Sequence, residues 1–313
     1  MDLSAALIDL NRRRIAVPDG RLYLLLDPYL HEDAPAKIIK GREHAVVRLL
    51  ERRNVPASKR PVLAALRTDA FDGDEHLLQE TLERAYTETS PASEFSGQGR
   101  LFGGWLISAQ PPRIVAEHLR AVMDQRDTSF VRRYIRLGDP RVSSSLWATL
   151  RPAEQAALLG PIEAWFVFDH LGAWHGLSQS SDARAAGPWQ ATAEQWQLIE
   201  RMGLVNRLVL TMRREGQSAH ADLAHIDSLI RLAKQRGFVS EQDLRTYALY
   251  ALRYGEACLR HPKVLDWQTQ ALKQQRLLDD IFADAATPET WQAIADDAVR
   301  IVTTGKEGAS LYG

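Results

Sequence analysis

A single cysteine, Cys258, is all the thiol chemistry that 313 residues contain. No intrachain disulfide is available, and a reducing compartment suits such a chain. Long hydrophobic runs are missing too. A membrane-spanning helix needs about 18 apolar residues or more, whereas runs such as Leu22–Leu26 are strand-sized. The N-terminus, Met-Asp-Leu-Ser, lacks the basic segment and apolar core of a secretory signal. Neither sign of charge is in excess: 39 Lys and Arg face 40 Asp and Glu, for a net charge of -1. That balance argues against a protein held on nucleic acid by bulk electrostatics. These absences lead us to expect a soluble, cytoplasmic protein with neither nucleic acid nor membrane as partner.

Catalytic signatures are equally scarce. Gly97-Gln-Gly99 precedes a strand instead of opening a helix, so it does not read as a dinucleotide loop. Gly305-Lys306 lacks the upstream glycine of a phosphate loop, and no Gly-x-Ser-x-Gly elbow occurs. Nine histidines are scattered. The pairs His170/His175 and His220/His225 are five apart, which puts their members on different sides of a helix or strand. No metal site and no cofactor are expected. Cys258 reads as a small buried side chain. The acidic group Asp69, Asp72, Asp74 and Glu75 reads as the complement of a helix N-terminus.

What the chain does have is 45% apolar residues, enough for a substantial core, and a length that suggests two units. Strand and helix patterns alternate through the first half. Leu3, Leu7 and Leu10 share a helix face, and Leu22–Leu26 forms a buried strand ending at Asp27-Pro28. Ile38, Ile39, Val46, Leu49 and Leu50 recur at helical spacing. Pro61 to Leu66 is a second strand, and Leu78, Leu82 and Tyr86 mark a helix. Residues 88 to 100 read as a loop. Leu101 to Ser108 is a third strand, with a helix after Pro111-Pro112.

The stretch from residue 130 to 176 is rich in aromatic and basic residues. Phe130 to Leu137 reads as a fourth strand, with Arg132, Tyr134 and Arg136 on one face. Asp139 is a good N-cap with Pro140 in the first helical position, and Arg141 is placed to pair with a carboxylate there, Asp139 included. Gly160-Pro161 stops a short helix. A hairpin then turns around Asp169-His-Leu-Gly172. After Trp189 the pattern is helical only, with capping signals at Thr192 and Ser240. A fourth helix of this half runs from His261-Pro262 to about Ala283 and a fifth follows Thr287-Pro288. The expected architecture is an α/β N-terminal lobe with a mixed sheet followed by an all-α C-terminal lobe. Residues 1–178 form the first domain, 179–189 a linker, and 190–304 a helical lobe of about five helices.

The order Arg133-Tyr-Ile-Arg-Leu-Gly-Asp-Pro-Arg141, a helix, Gly160-Pro161-Ile162, Trp165 and the Asp169 to Trp174 turn resembles the type VI secretion effector-adaptor family. Its members are called Tap or TEC adaptors or chaperones. Leu22-Tyr-Leu-Leu-Leu-Asp27 is similar to the family's opening strand, and Gly104-Trp-Leu-Ile-Ser108 to a mid-domain strand. The resemblance spans roughly residues 20 to 177. It implies a non-enzymatic protein that binds a toxic effector in the cytoplasm and loads it onto the VgrG spike, with or without a PAAR protein. The groove between the lobes, with the helices after Thr192, is then expected to hold the effector. Arg132, Tyr134, Arg136, Arg141 and Trp165 are the candidate protein-binding residues, since Arg, Tyr and Trp anchor interfaces best. Asp139, Pro140, Gly160 and Pro161 are assigned to structural corners. Two alternatives stand beside this reading. One is an α/β enzyme using Asp27, Asp69 and Asp139 at strand ends, where such folds place ligands. The other is an immunity protein that binds the effector's toxin domain.

Overall fold

A computed structural model describes residues 2–30, 38, 46–50, 55–66, 75–97, 99–179, 187–216 and 222–309. The chain divides into two compact units, residues 1–200 and 201–313. The first is an α/β unit and the second is helical, as the patterning requires. The division falls within helix α7 (Ala193–Arg214).

A six-stranded sheet in the order β2-β3-β1-β4-β7-β8 builds the first unit. Its strands are β1 (Arg21–Leu26), β2 (Val46–Arg48), β3 (Val62–Leu66), β4 (Phe102–Ser108), β7 (Ala164–Phe168) and β8 (Trp174–Ser178). β1 buries every residue from Leu22 to Leu26 because both faces of the sheet are covered. On one face, Leu22, Leu24, Leu26, Trp105 and Phe166 pack with Ala6 and Leu10 of α1 (Leu3–Ala16) and with Leu78, Leu82 and Ala85 of α2 (Glu75–Thr87). Across the other lie α4 (Pro112–Met123), against β2 and β3, and α5 (Pro140–Trp147), against β4 and β7. α4 buries Val115, Ala116, Leu119, Val122 and Met123 along one stripe. α6 (Pro152–Leu159) follows α5.

Each described ladder of this sheet is antiparallel, including those assigned to a mixed sheet from strand-helix alternation. β3 and β4 do run in the same direction, joined across β1 through α2. The alternation detects that crossover but is blind to the strand lying between its ends.

Three local expectations are corrected. Val46–Arg48 is an edge strand on β3 and not part of a helix, since pairing with a neighbour overrides a short helical spacing. The loop expected over residues 88 to 100 contains helix α3 (Pro91–Phe95), with Ser90 as N-cap and Pro91 at the helix start. Phe130–Leu137 is not a sheet strand: only Arg132–Tyr134 (β6) is extended, and it pairs with Asp124–Arg126 (β5) as a separate two-stranded ribbon. The corners assigned to Gly160-Pro161 and to Asp169–Gly172 form as expected, with Gly160 at φ 53° and Gly172 at φ 81°.

In the second unit, α8 (Leu223–Gln235), α9 (Glu241–Tyr254), α10 (Pro262–Gln274), α11 (Leu278–Ala285) and α12 (Pro288–Ala309) follow α7. The single helix expected from Pro262 to Ala283 is two, broken where Gln275 turns left-handed at φ 53°. Asp243 accounts for the break's stability. Its side chain accepts the Leu278 N–H at 2.8 Å and so caps the start of α11. Trp291 centres the core, with its ring 4.6 Å from Tyr250 and 4.8 Å from Phe282. A buried pair, Arg201 Nε to Asp227 at 2.5 Å, ties α7 to α8.

Candidate functional site

The first unit gathers its charge at one end of the sheet. Directly after β1 comes Asp27, which is 1% exposed. Beside it, the β1–β4 register shifts at Gly103, as in a β-bulge. A Cβ on Gly103 would sit 2.6 Å from the Gly138 carbonyl. Only glycine therefore lets the turn before α5 approach the strand. Gly104, at φ 128°, makes room for Trp165, whose indole donates to the Gly103 carbonyl at 3.0 Å.

This close approach places three arginines among three carboxylates. Arg136 Nε donates to Asp27 at 2.6 Å, and its NH1 lies 3.9 Å from Asp139. Arg141 grips Asp139 with two bonds, Nε at 2.9 Å and NH2 at 2.7 Å. Glu94, from the short helix α3, lies 4.0 Å from Arg141 and accepts from Arg100 at 2.6 Å. Arg100 also donates to the carbonyls of Phe168, Asp169 and His170, fastening the β7–β8 turn. The charges alternate along the chain of contacts and cancel.

Electrostatics follow from that order. Burial pushes Asp139's pKa up, but Arg141 and then Arg136 outweigh it, so its carboxyl titrates below the ordinary value. Arg136 is the cation bonded to Asp27, and the neighbouring Asp139 carboxylate opposes it. Burial prevails there and its pKa is raised. Burial lowers Arg100, while Asp27 and Asp139 hold Arg136 and Arg141 above their usual range against burial.

The network reaches solvent at Arg136, which is 29% exposed. Its guanidinium lies 5.3 Å from the ring centre of Tyr29, and Lys59 lies 5.9 Å from the same ring. Tyr29 is 51% exposed, and its N–H donates to Asp27. An exposed aromatic ring between two cations, anchored to a buried charge network, has the side-chain composition that interface anchors favour.

The five candidate protein-binding residues do not share one face. Arg132 projects from the ribbon and pairs with Asp124 at 2.6 Å. Tyr134 is half-buried over Met123, its hydroxyl 3.9 Å from the sulfur. Arg136 and Arg141 belong to the network. Trp165 is fully buried in β7, so the interface role expected for it gives way to a core role, filling the hollow left by Gly104. Asp139 is the N-cap of α5, with Pro140 at its first helical position. Gly160 and Pro161 hold the α6 corner, where a Cβ on Gly160 would meet the His118 ring at 2.2 Å. Tyr29, Lys59, Glu94 and Arg100 were not legible as site residues, because nothing in their spacing links them.

The acids of the enzymatic alternative meet different fates. Asp27 and Asp139 do converge, but on arginines, and Asp69 lies outside the described residues. A cleft of about 670 Å³ opens near the starts of α6 and α7, and its polar groups already bond one another, Gln195 and Arg151 both to Glu154. Burial pushes the Cys258 thiol up to about 11, away from nucleophilic character. Among the described residues, no cluster of His, Cys, Asp and Glu is placed to hold a metal, and no helix is long and apolar enough to cross a membrane.

Residues 22–157 match the model of a family described as a domain of unknown function, DUF4123. That family is known as a type VI secretion effector-associated domain. The matched stretch runs from β1 into α6 and contains all six network residues together with Tyr29 and Lys59. No curated protein matches the chain. No solved structure matches it.

Proposed function

We propose that this chain is a non-enzymatic adaptor or chaperone that binds a toxic type VI secretion effector in the cytoplasm and loads it onto the VgrG spike, with or without a PAAR protein. One observation carries the reading. The stretch similar to an effector-associated domain coincides with the charge network and its outlet at Arg136 and Tyr29. Acids closed on guanidiniums suit a scaffold that holds a surface rigid, more than a site that activates water or a nucleophile. Tyr29, Lys59 and Arg136 offer one partner cation and aromatic contacts. The helices of the second unit, outside the matched stretch, supply the surface assigned to the effector.

Co-expression of the tagged full chain with candidate type VI effector and VgrG spike proteins tests this reading. Both are expected in the eluate, identified by mass spectrometry, and recovery of neither would overturn it. A chain ending at Glu200 is expected to lose the effector, and retention would remove the helical unit from the assignment. Effector fragments separate the immunity alternative, which predicts capture of the toxin domain alone.

A further inference from the structure

The β5–β6 ribbon is a second feature of the first unit, separate from the six-stranded sheet. Its turn, Asp127 to Val131, is closed by its own bonds. Asp127 Oδ1 accepts the N–H groups of Ser129 and Val131, each at 2.9 Å. The Asp127 N–H donates to the Val131 carbonyl and the Phe130 N–H to the Asp127 carbonyl, both at 2.9 Å. These bonds hold Phe130 at φ 60°, a left-handed conformation unfavourable to a residue with a bulky side chain. Phe130 is nonetheless 78% exposed, and Val131 beside it is 51% exposed. Strain and exposure both oppose stability, so the turn's order serves the display of that ring.

Charge around the ring is sorted by depth. Arg132 pairs with Asp124, and Arg133 with Asp127 at 2.8 Å. The guanidiniums are 69% and 53% exposed, whereas the carboxylates are only 11% and 9% exposed. Arg126, also exposed, donates to the Phe130 carbonyl at 3.4 Å. Glu200 adds a further negative charge acting on Arg133. The apolar tip therefore sits among exposed guanidiniums whose paired carboxylates are mostly covered.

We propose that this turn is a docking finger, which inserts Phe130 with Val131 into an apolar pocket of a partner protein whose rim carries carboxylates facing Arg126, Arg132 and Arg133. The recessed acids favour a protein over a lipid surface. They fix the direction of the guanidinium forks, and fixed forks suit carboxylates at defined positions. The inference rests on the adaptor reading for which proteins to try, namely the effector and the spike.

The test uses the full chain with Phe130→Gly, Phe130→Asn, and Arg126→Glu combined with Arg132→Glu. Glycine and asparagine both accept the left-handed backbone, so the melting temperature should hold or rise. Affinity for the purified effector or the purified spike protein, measured by titration calorimetry, should fall about tenfold or more in each variant. Unchanged affinity of both Phe130 variants for both proteins overturns the docking finger and leaves the adaptor reading standing. A wild-type chain that binds neither protein overturns both. Wild-type sedimentation with phosphatidylglycerol vesicles that Phe130→Gly abolishes overturns the protein pocket in favour of a lipid partner.

Discussion

Single residues decide how the charged end of the sheet behaves, and Glu88 is one that responds to pH near neutrality. Its carboxylate accepts the Leu101 N–H at 2.9 Å, yet burial pushes its pKa up to about 7 from an ordinary value of 4.5. The folded chain thus holds this proton more tightly than the unfolded chain. The resulting stabilisation is complete below about pH 4.5 and disappears as pH rises through 7. Glu88→Gln, neutral throughout, should match the wild type near pH 4.5 and exceed it at pH 8, by up to about 3 kcal/mol. Urea unfolding at the two pH values checks this. A constant difference would mean that Glu88 ionises normally. Arg136 illustrates the opposite limit. Its charge looks like a binding determinant in the sequence, but it holds Asp27 at 2.6 Å. A charge reversal at Arg136 therefore reports folding and binding together, whereas Tyr29 can be changed without leaving a buried charge alone.

Elements inherit their positions from such residues. α5 begins where Asp139 accepts the Arg141 N–H at 3.1 Å and grips the same residue's guanidinium. One carboxylate caps the helix and closes the network. Asp139→Ala removes both functions and should cost about 3 kcal/mol or more. Asp139→Asn keeps a capping oxygen and should cost less. Denaturant titration ranks the two, and equal losses would show that the cap contributes little. Helix ends of this kind were legible in the sequence, because Asp-Pro, Ser-x-x-Asp and Gly-Pro act locally. The ribbon and α3 were not. β5 and β6 extend by only three residues each, and two of the four bonds that close their turn come from one side chain, Asp127. α3 is five residues of Pro, Ala, Ser, Glu and Phe, too short to show a period.

The whole molecule is two cores in one chain. Cys258 is a natural reporter for the second. It is fully buried among that unit's apolar residues, and its thiol is pushed up to about 11. Reaction with a disulfide reagent at pH 7.5 should be roughly a hundredfold slower than for a free thiol, and limited by opening of the helical unit. Labelling at the rate of free cysteine would show that this unit is open in solution.

By itself, the sequence determined the class of each half, the helix caps at Asp139, Thr192 and Ser240, and the strands at Leu22–Leu26 and Leu101–Ser108, the latter observed as Phe102–Ser108. These depend on periodicity and on contacts within a few residues, which a linear chain records directly. Only the tertiary structure decided that Trp165 is core, that Asp27 and Asp139 meet on Arg136, and that Glu94 and Arg100 complete the set. Asp27 and Arg136 lie 109 residues apart. Their meeting depends on two glycine backbones, at 103 and 138, packing against each other. No local propensity encodes such an approach, because it buries charges at a desolvation cost that is offset only when the folded sheet brings their partners alongside.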